Sequence, residues 1–282
     1  FDALLTPLEW AGQATALIVV SGVFGILALF VFKYISWQAG IKSAKDRIKG
    51  HMIAIRLYQD DLVVVGKSVG SVLVRNLQYL GLNFGPFIPL AIPFVFVSAQ
   101  FVVRYAYDPL PIVAADAPVM AGRGVMLEIE LREGREAEIR DLKVTLPPGL
   151  RAVSPLARAP REGRAFQEFV AIAPGQHEIV FELGGVRETK LVVAGGEAPR
   201  SMQPRRVSSA DWFAISDPNR WPALWPAEAA FASDSPFRVV AIAYPYRDQG
   251  WLPDGEFGIL LTFVLASMLF GVVALKPLGV QI

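Results

Sequence analysis

Few side chains in this chain could carry chemistry, and their spacing argues against it. Histidine occurs twice, at His51 and His177, and cysteine does not occur. Thiol catalysis and cysteine-based metal sites are therefore excluded. His51 lies in a basic stretch and His177 in a strand-like one. The charge pattern below puts them on opposite sides of a membrane, so they cannot share a metal or a triad. Glu128 and Glu130 make a carboxylate pair of the kind used in acid–base work. In VMLEIEL, however, they alternate with Val125, Leu127, Ile129 and Leu131 and are expected to form the wet face of a strand. Gly66-Lys67-Ser68 matches the end of a phosphate-binding loop, but the glycine needed five residues earlier is Asp61, and no strand leads into it. No Gly-x-Ser-x-Gly elbow occurs. The expectation is a protein without catalytic residues, metal or cofactor.

The remaining polar candidates lie inside apolar runs. The chain has 282 residues, 53% hydrophobic and 19% charged, with mean hydropathy +0.41. Three runs carry no charge: Ala11–Phe32 with 22 residues, Asn76–Val103 with 28 and Phe257–Leu275 with 19. Each can cross a hydrocarbon core of about 30 Å at about 1.5 Å per residue. An ionisable residue within a span would signal transport or proton relay, and these runs contain none. Their polar side chains are Gln13, Thr15, Ser21, Asn83, Ser98, Gln100, Thr262 and Ser267. Such residues line a mildly polar groove or glue helices together.

Charge sets the expected orientation. Ala11–Phe32 follows Asp2 and Glu9 and precedes Lys33, so it reads as a retained span, not a signal peptide. From Lys33 to Gln78 there are eight Lys/Arg and three Asp, a net of +5. From Tyr105 to Glu256 there are 17 Lys/Arg and 21 Asp/Glu, a net of −4. Basic short segments stay cytoplasmic, whereas long domains translocate regardless of charge. The expected location is a bacterial inner (cytoplasmic) membrane, with the N-terminus outside, the C-terminus inside and the large domain periplasmic. Trp10, Tyr105, Tyr107 and Trp251 would flank the outer ends of the spans, and Tyr34, Trp37 and Tyr79 the inner ends.

The fold class is then an α-helical membrane protein with three transmembrane helices, a cytoplasmic amphipathic helical segment and an external all-β domain of immunoglobulin-like sandwich type. Residues 1–32 hold the external N-terminus and first span, and 33–78 the basic segment. There Ile41, Ala44, Ile48, Met52 and Ile55, then Leu62, Val65, Val69 and Val72, recur at helical steps, compatible with one long helix or a hairpin. Lys42, Lys45, Arg47 and Lys49 form its sharpest basic cluster, suited to anionic headgroups, RNA or a nascent chain. Residues 79–104 form the second span, bent by Pro86, Pro89 and Pro93 at its start. Residues 105–207 form the β domain, with strands at Val125–Leu131, Leu142–Leu146 and around the Gly184-Gly185 hairpin turn. Residues 208–256 are a strap holding Trp212, Trp221, Trp225, Trp251 and six prolines, ending in a strand at Arg238–Tyr244. The strap either docks a partner or packs on its own domain. Residues 257–282 are the third span and tail.

This order resembles the YidC/Oxa/Alb superfamily of membrane insertases and its three-span relatives in archaea and in the endoplasmic reticulum membrane complex. The local match is NLQYLGLNFGPFIPLAIPFVFVSAQFVVRY, Asn76–Tyr105, in which Gly85-Pro86, Pro89 and Pro93-Phe94 take the family's Gly-Pro, Pro and Pro-Phe positions. SAKDRIKGHMIAIRLYQDD resembles the family's charged cytoplasmic helical region. The resemblance covers Ala11–Tyr107 and the last span. It implies an insertase-like or chaperone-like protein, non-enzymatic, with a shallow groove that receives a client helix. The implied partners are lipid bilayer, other membrane proteins and a ribosome or nascent chain, with no DNA. Many bacterial members carry a positive residue in the first core span; Ala11–Phe32 has none. A β domain also stands where the family often has a short hairpin. These departures motivate the alternative of an accessory or scaffold subunit of a larger complex, with the β domain and the strap as its docking surface.

Overall fold

The computed structural model describes residues 2–196, 199–211 and 217–280. The chain divides into two compact units, Phe1–Phe94 with Leu261–Ile282, and Val95–Leu260. The helices are α1 (Asp2–Glu9), α2 (Gln13–Ile35), α3 (Gln38–Leu57), α4 (Leu62–Phe84), α5 (Phe87–Tyr105) and α6 (Gly255–Leu278). Three helical stretches are long and apolar enough to cross a membrane: α2, the 44-residue stretch Leu62–Tyr105 made by α4 and α5, and α6.

In the first unit α2 and α6 approach until backbone meets backbone. A Cβ on Gly25 would lie 2.0 Å from the Ser267 carbonyl oxygen, and one on Gly22 would lie 2.7 Å from the Phe270 ring. Small residues permit this spacing. Phe24, Phe94 and Phe263 then close a ring trio, with centroids 5.2 Å apart for Phe24–Phe263, 4.8 Å for Phe94–Phe263 and 6.3 Å for Phe24–Phe94. Lower down, Phe32 meets Phe87 at 5.7 Å, and the Lys33 ammonium donates to the Leu278 carbonyl at 2.7 Å. That bond satisfies a carbonyl left free at the end of α6. These pairings run α2 and α6 in the same direction and α5 in the opposite one.

The basic segment is a hairpin. α3 and α4 are joined by the short turn Tyr58–Asp61, and Asp61 caps α4 by accepting from the Val63 and Val64 amides at 3.0 and 3.1 Å. The inward side of α3 is Ile41, Ala44, Ile48, His51 and Ile55, and that of α4 is Val65, Ser68, Val72, Arg75 and Tyr79. Steps of three and four give the seam of a two-helix coil. Met52 and Val69, expected inside, are 59% and 44% exposed, and Leu62 is 82% exposed. From Ile48 the repeat steps by three and then four, which lands on His51 and Ile55. The helix begun in the basic segment also continues past Gln78 to Phe84, and its regular bonding is interrupted at Gly85–Pro86. Pro86 lies outside both helices, and Pro89 falls in the first turn of α5, where no helical N–H is required. Only Pro93 removes an interior bond.

The second unit contains a β-sheet domain. Its strands are β1 (Val125–Leu131), β2 (Lys143–Thr145), β3 (Leu150–Ala152), β4 (Ala157–Ala159), β5 (Arg164–Ala171), β6 (Gly175–Leu183), β7 (Val186–Ala194), β8 (Arg205–Val207) and β9 (Phe237–Ile242). One sheet has the order β3-β5-β1-β9-β8, with β4 also on β5, and the other is β2-β6-β7. All named pairings are antiparallel. Gly184 and Gly185, with φ of 58° and 80°, close the β6–β7 hairpin as the sequence predicts. Leu127, Ile129, Phe169, Ile179, Phe181, Phe237 and Val240 are fully buried, and Phe181 meets Phe237 across the sheets at 6.0 Å.

Gly25→Ala is expected to force α2 from α6 and to lower the thermal midpoint in detergent, at a cost of about 1–3 kcal/mol. Gly50→Ala, where a Cβ meets nothing within 4 Å, is expected to raise it slightly. Equal effects at both positions would refute the close approach.

Candidate functional site

The polar side chains of the apolar helices are the first candidates, and most bond to their own helix. Ser21 is buried and donates to the Leu17 carbonyl at 2.5 Å. Ser98 donates to Val95 and Ser267 to Val264, each at 2.9 Å. Asn83 donates to the Tyr79 carbonyl at 2.8 Å. Gln100 accepts from Arg104, one turn ahead. Thr262 is buried, and Gln13 is exposed at the start of α2. Back-bonding of this kind satisfies the hydroxyl or amide and leaves little to offer a ligand. The candidates are also divided, since Ser98 and Gln100 belong to the second unit and the others to the first.

Asn83 is the exception. Only 7% exposed, it leaves its Oδ1 without a hydrogen-bond partner one residue before Phe84 ends α4. A buried acceptor left unpaired costs about 1–3 kcal/mol. Asn83→Leu is therefore expected to raise the thermal midpoint, by about 1 kcal/mol, if the amide has no partner in the working protein. A drop on substitution would show that a bound group completes it.

The basic cluster is accessible. Lys42, Lys45, Arg47 and Lys49 are all exposed on α3, and Lys42 and Arg47 border a shallow depression with Ala39, Ser43 and Asp46. His51 lies in the α3–α4 seam. In the other unit, the His177 ring packs on Gly149 and shares a 2.8 Å hydrogen bond with the Ala173 carbonyl. Among the described residues no group of three or more His, Cys, Asp or Glu could hold a metal ion.

In the second unit charged groups do what composition could not reveal. Glu130, expected on the wet face, is half-buried among arginines, 3.3 Å from Arg164 and 3.0 Å from Arg220, with Arg238 at 3.9 Å. Arg220 comes from the strap, which closes over this side of β1. Glu128, 3.8 Å from Arg164, is less covered, its side chain 39% exposed against 13% for Glu130. Lys190 on β7 is fully buried. Its three protons go to Glu228, to the Gln203 carbonyl at 2.9 Å and to the Leu191 carbonyl at 3.2 Å. Burial pushes its ammonium below the ordinary lysine range, and Glu228 opposes that shift. Gln203 in turn accepts from the Ala227 and Glu228 amides. Arg206 pairs with Glu188 at 3.0 Å and lies 4.2 Å over the buried Phe231 ring. Trp225 is buried and donates to the Asn219 carbonyl at 2.7 Å, whereas Trp251 is 77% exposed. The strap thus packs on its own β domain; Trp212 lies outside the described residues.

Two expected interfacial aromatics are buried instead. The Tyr107 phenol donates to Glu256, and burial beside that carboxylate pushes its ionisation far above the ordinary tyrosine range. Tyr105 stacks on Phe101 at 6.1 Å. The Tyr107 hydroxyl and the ring faces of both are used inside the unit. Trp10, Tyr34 and Trp37 are exposed. A cleft of about 810 Å³ at the β6–β7 turn is lined by Arg140, Lys143, Arg158 and Arg187 together with Asp141 and Glu182, charges of both signs.

No protein-family model matches this chain, and no curated protein matches it.

Lys190→Ala leaves the half-buried Glu228 without its cation and is expected to destabilise the protein by about 3 kcal/mol. Lys190→Met combined with Glu228→Gln is expected to recover most of that in thermal unfolding of the intact protein. Failure of the double variant to recover would show that the pair does more than hold the strap.

Proposed function

We propose that this is a non-enzymatic membrane protein that helps apolar helices of other proteins enter or assemble in the bilayer, in the manner of an insertase. On this reading the apolar helices are set in a bacterial cytoplasmic membrane. The α3–α4 hairpin is on the cytoplasmic side, following the excess of Lys and Arg there, and the β domain is periplasmic. Two antiparallel sheets with a shared apolar core support an immunoglobulin-like assignment for that domain. The observation that carries the function is the hairpin. A basic two-helix coil is inserted between the first apolar helix and an oppositely directed, proline-bearing one. That order of elements is the one on which the insertase resemblance rests.

A second reading, an accessory subunit of a larger membrane complex, has its own support. Ser21, Ser98 and Ser267 bond to their own helices, and Phe24, Phe94 and Phe263 fill the space between α2, α5 and α6. An aromatic interior offers no wet groove. Photo-crosslinking residues in place of Lys42 and Lys49 separate the two. The insertase reading expects adducts with ribosome-bound nascent membrane proteins in growing cells. No adduct from either position, together with a stoichiometric assembly in mild detergent, would leave the scaffold reading standing.

A further inference from the structure

One helix of the α3–α4 hairpin, α4, is patterned the wrong way round for a helix pair in water. α4 turns Ser68 and Asn83 inward, 6% and 7% exposed, and turns its leucines outward. Leu62, Leu73, Leu77 and Phe84 are 82%, 63%, 70% and 64% exposed, and Val63 and Val74 extend the same side. At about 100° per residue these positions share one broad face. Of the two charged residues on the helix, Arg75 is in the seam and Lys67 is exposed at the edge of this face, beside Val74 and Val63. α3 is the opposite case. Its exposed residues include Lys42, Lys45, Arg47, Lys49 and Arg56 against the single acid Asp46. The pair is therefore one amphipathic slab, basic on one helix and apolar on the other.

We infer that the outward face of α4 is a membrane-binding face. It is seated at the boundary between headgroups and acyl chains, with the lysines and arginines of α3 on anionic phospholipid headgroups. Three observations fix lipid as the occupant. The apolar face is continuous with a helix that can itself cross a membrane, because Leu62–Tyr105 qualifies as one 44-residue apolar stretch. Lys67 borders it and the cations of α3 stand behind it on the same hairpin, complementary to anionic lipid, and an apolar helix face carried together with basic residues is the recognised signature of interfacial binding. The face is also uncovered. Gly66, Gly70 and Gly81 lie on it and would meet nothing within 4 Å if given a Cβ, so no other part of the described chain occupies it. The inference rests on the membrane reading above and adds to it that the hairpin lies on the bilayer and does not project into water.

The absence of native cysteine makes the test clean. Single-cysteine variants Leu77→Cys and Leu73→Cys on α4, Lys42→Cys on α3 and Leu269→Cys on α6 carry an environment-sensitive fluorophore. The full chain is reconstituted in vesicles of mixed zwitterionic and anionic phospholipid. Quenching by nitroxide-bearing lipid is compared with quenching by aqueous iodide. The inference expects positions 73 and 77 to be quenched by lipid as strongly as position 269 and to lose iodide quenching, while position 42 keeps it. Iodide access at 73 and 77 with lipid quenching intact at 269 overturns the inference and leaves the membrane reading in place. Shielding of 73 and 77 from both quenchers, or excimer formation between pyrene labels at 77, also overturns it, in favour of a client helix or a second copy. Iodide access at 269 as well removes the membrane reading and this inference together.

Discussion

The helical unit is organised by the absence of a side chain. At Gly25 the α2 backbone lies against the Ser267 carbonyl with no room for one more carbon. Dispersion falls off steeply with distance, so this approach sets how much of each helix the other can touch. Phe24, the neighbour of Gly25, reaches Phe263 and shares Phe94 with it only because the axes are close. Two turns on, Lys33 reaches the Leu278 carbonyl for the same reason. Leu29, Phe32 and Ala274 then close a small apolar cluster with Leu90 and Leu275 packed against it. A wider crossing would leave three rings apart and a terminal carbonyl without its donor.

The β unit uses buried charge for the corresponding task. Only at β9 does the strap join a ladder; the described residues between 208 and 236 have little regular structure, so few ladder bonds hold them. Lys190 and Glu228 fix one part and Glu130 with Arg220 another, while Trp225 and Phe231 supply the apolar area. Such groups are costly to desolvate, and breaking one partner costs more than replacing both. The arrangement favours a single placement of the strap over alternatives that would strand a charge.

Much of this was legible in the sequence wherever periodicity was strict. The charge-free runs Ala11–Phe32 and Phe257–Leu275 fall on α2 and α6, whereas Asn76–Val103 straddles the break between α4 and α5; VMLEIEL is β1, and Gly184-Gly185 closes a hairpin. β5 has no clear strand signature because RAFQEFVA buries Glu168 beside Phe169, which destroys the alternation, and Glu168 is used to hold the Gly122 and Gly124 amides. In the α4 seam hydropathy favours Val69, whereas the helix pair places Ser68 inside. The ion pairs of Glu130 and Lys190 were illegible for a different reason. Their partners lie 34 to 108 residues away for Glu130 (Arg164 and Arg238) and 38 for Lys190, and no local pattern encodes a contact of that range.

The prolines at the start of α5 have a mechanical consequence. Pro93 lacks the amide that would bond to the Pro89 carbonyl, and Pro86 stands in the break where α4 has ended and α5 has not begun. The ladder is thus interrupted at the break and misses a further bond about two turns beyond it. Chain bonded this sparsely is more compliant than the helix on either side. A load applied at the Tyr58–Asp61 tip is then absorbed as bending at this joint before it can tilt α5.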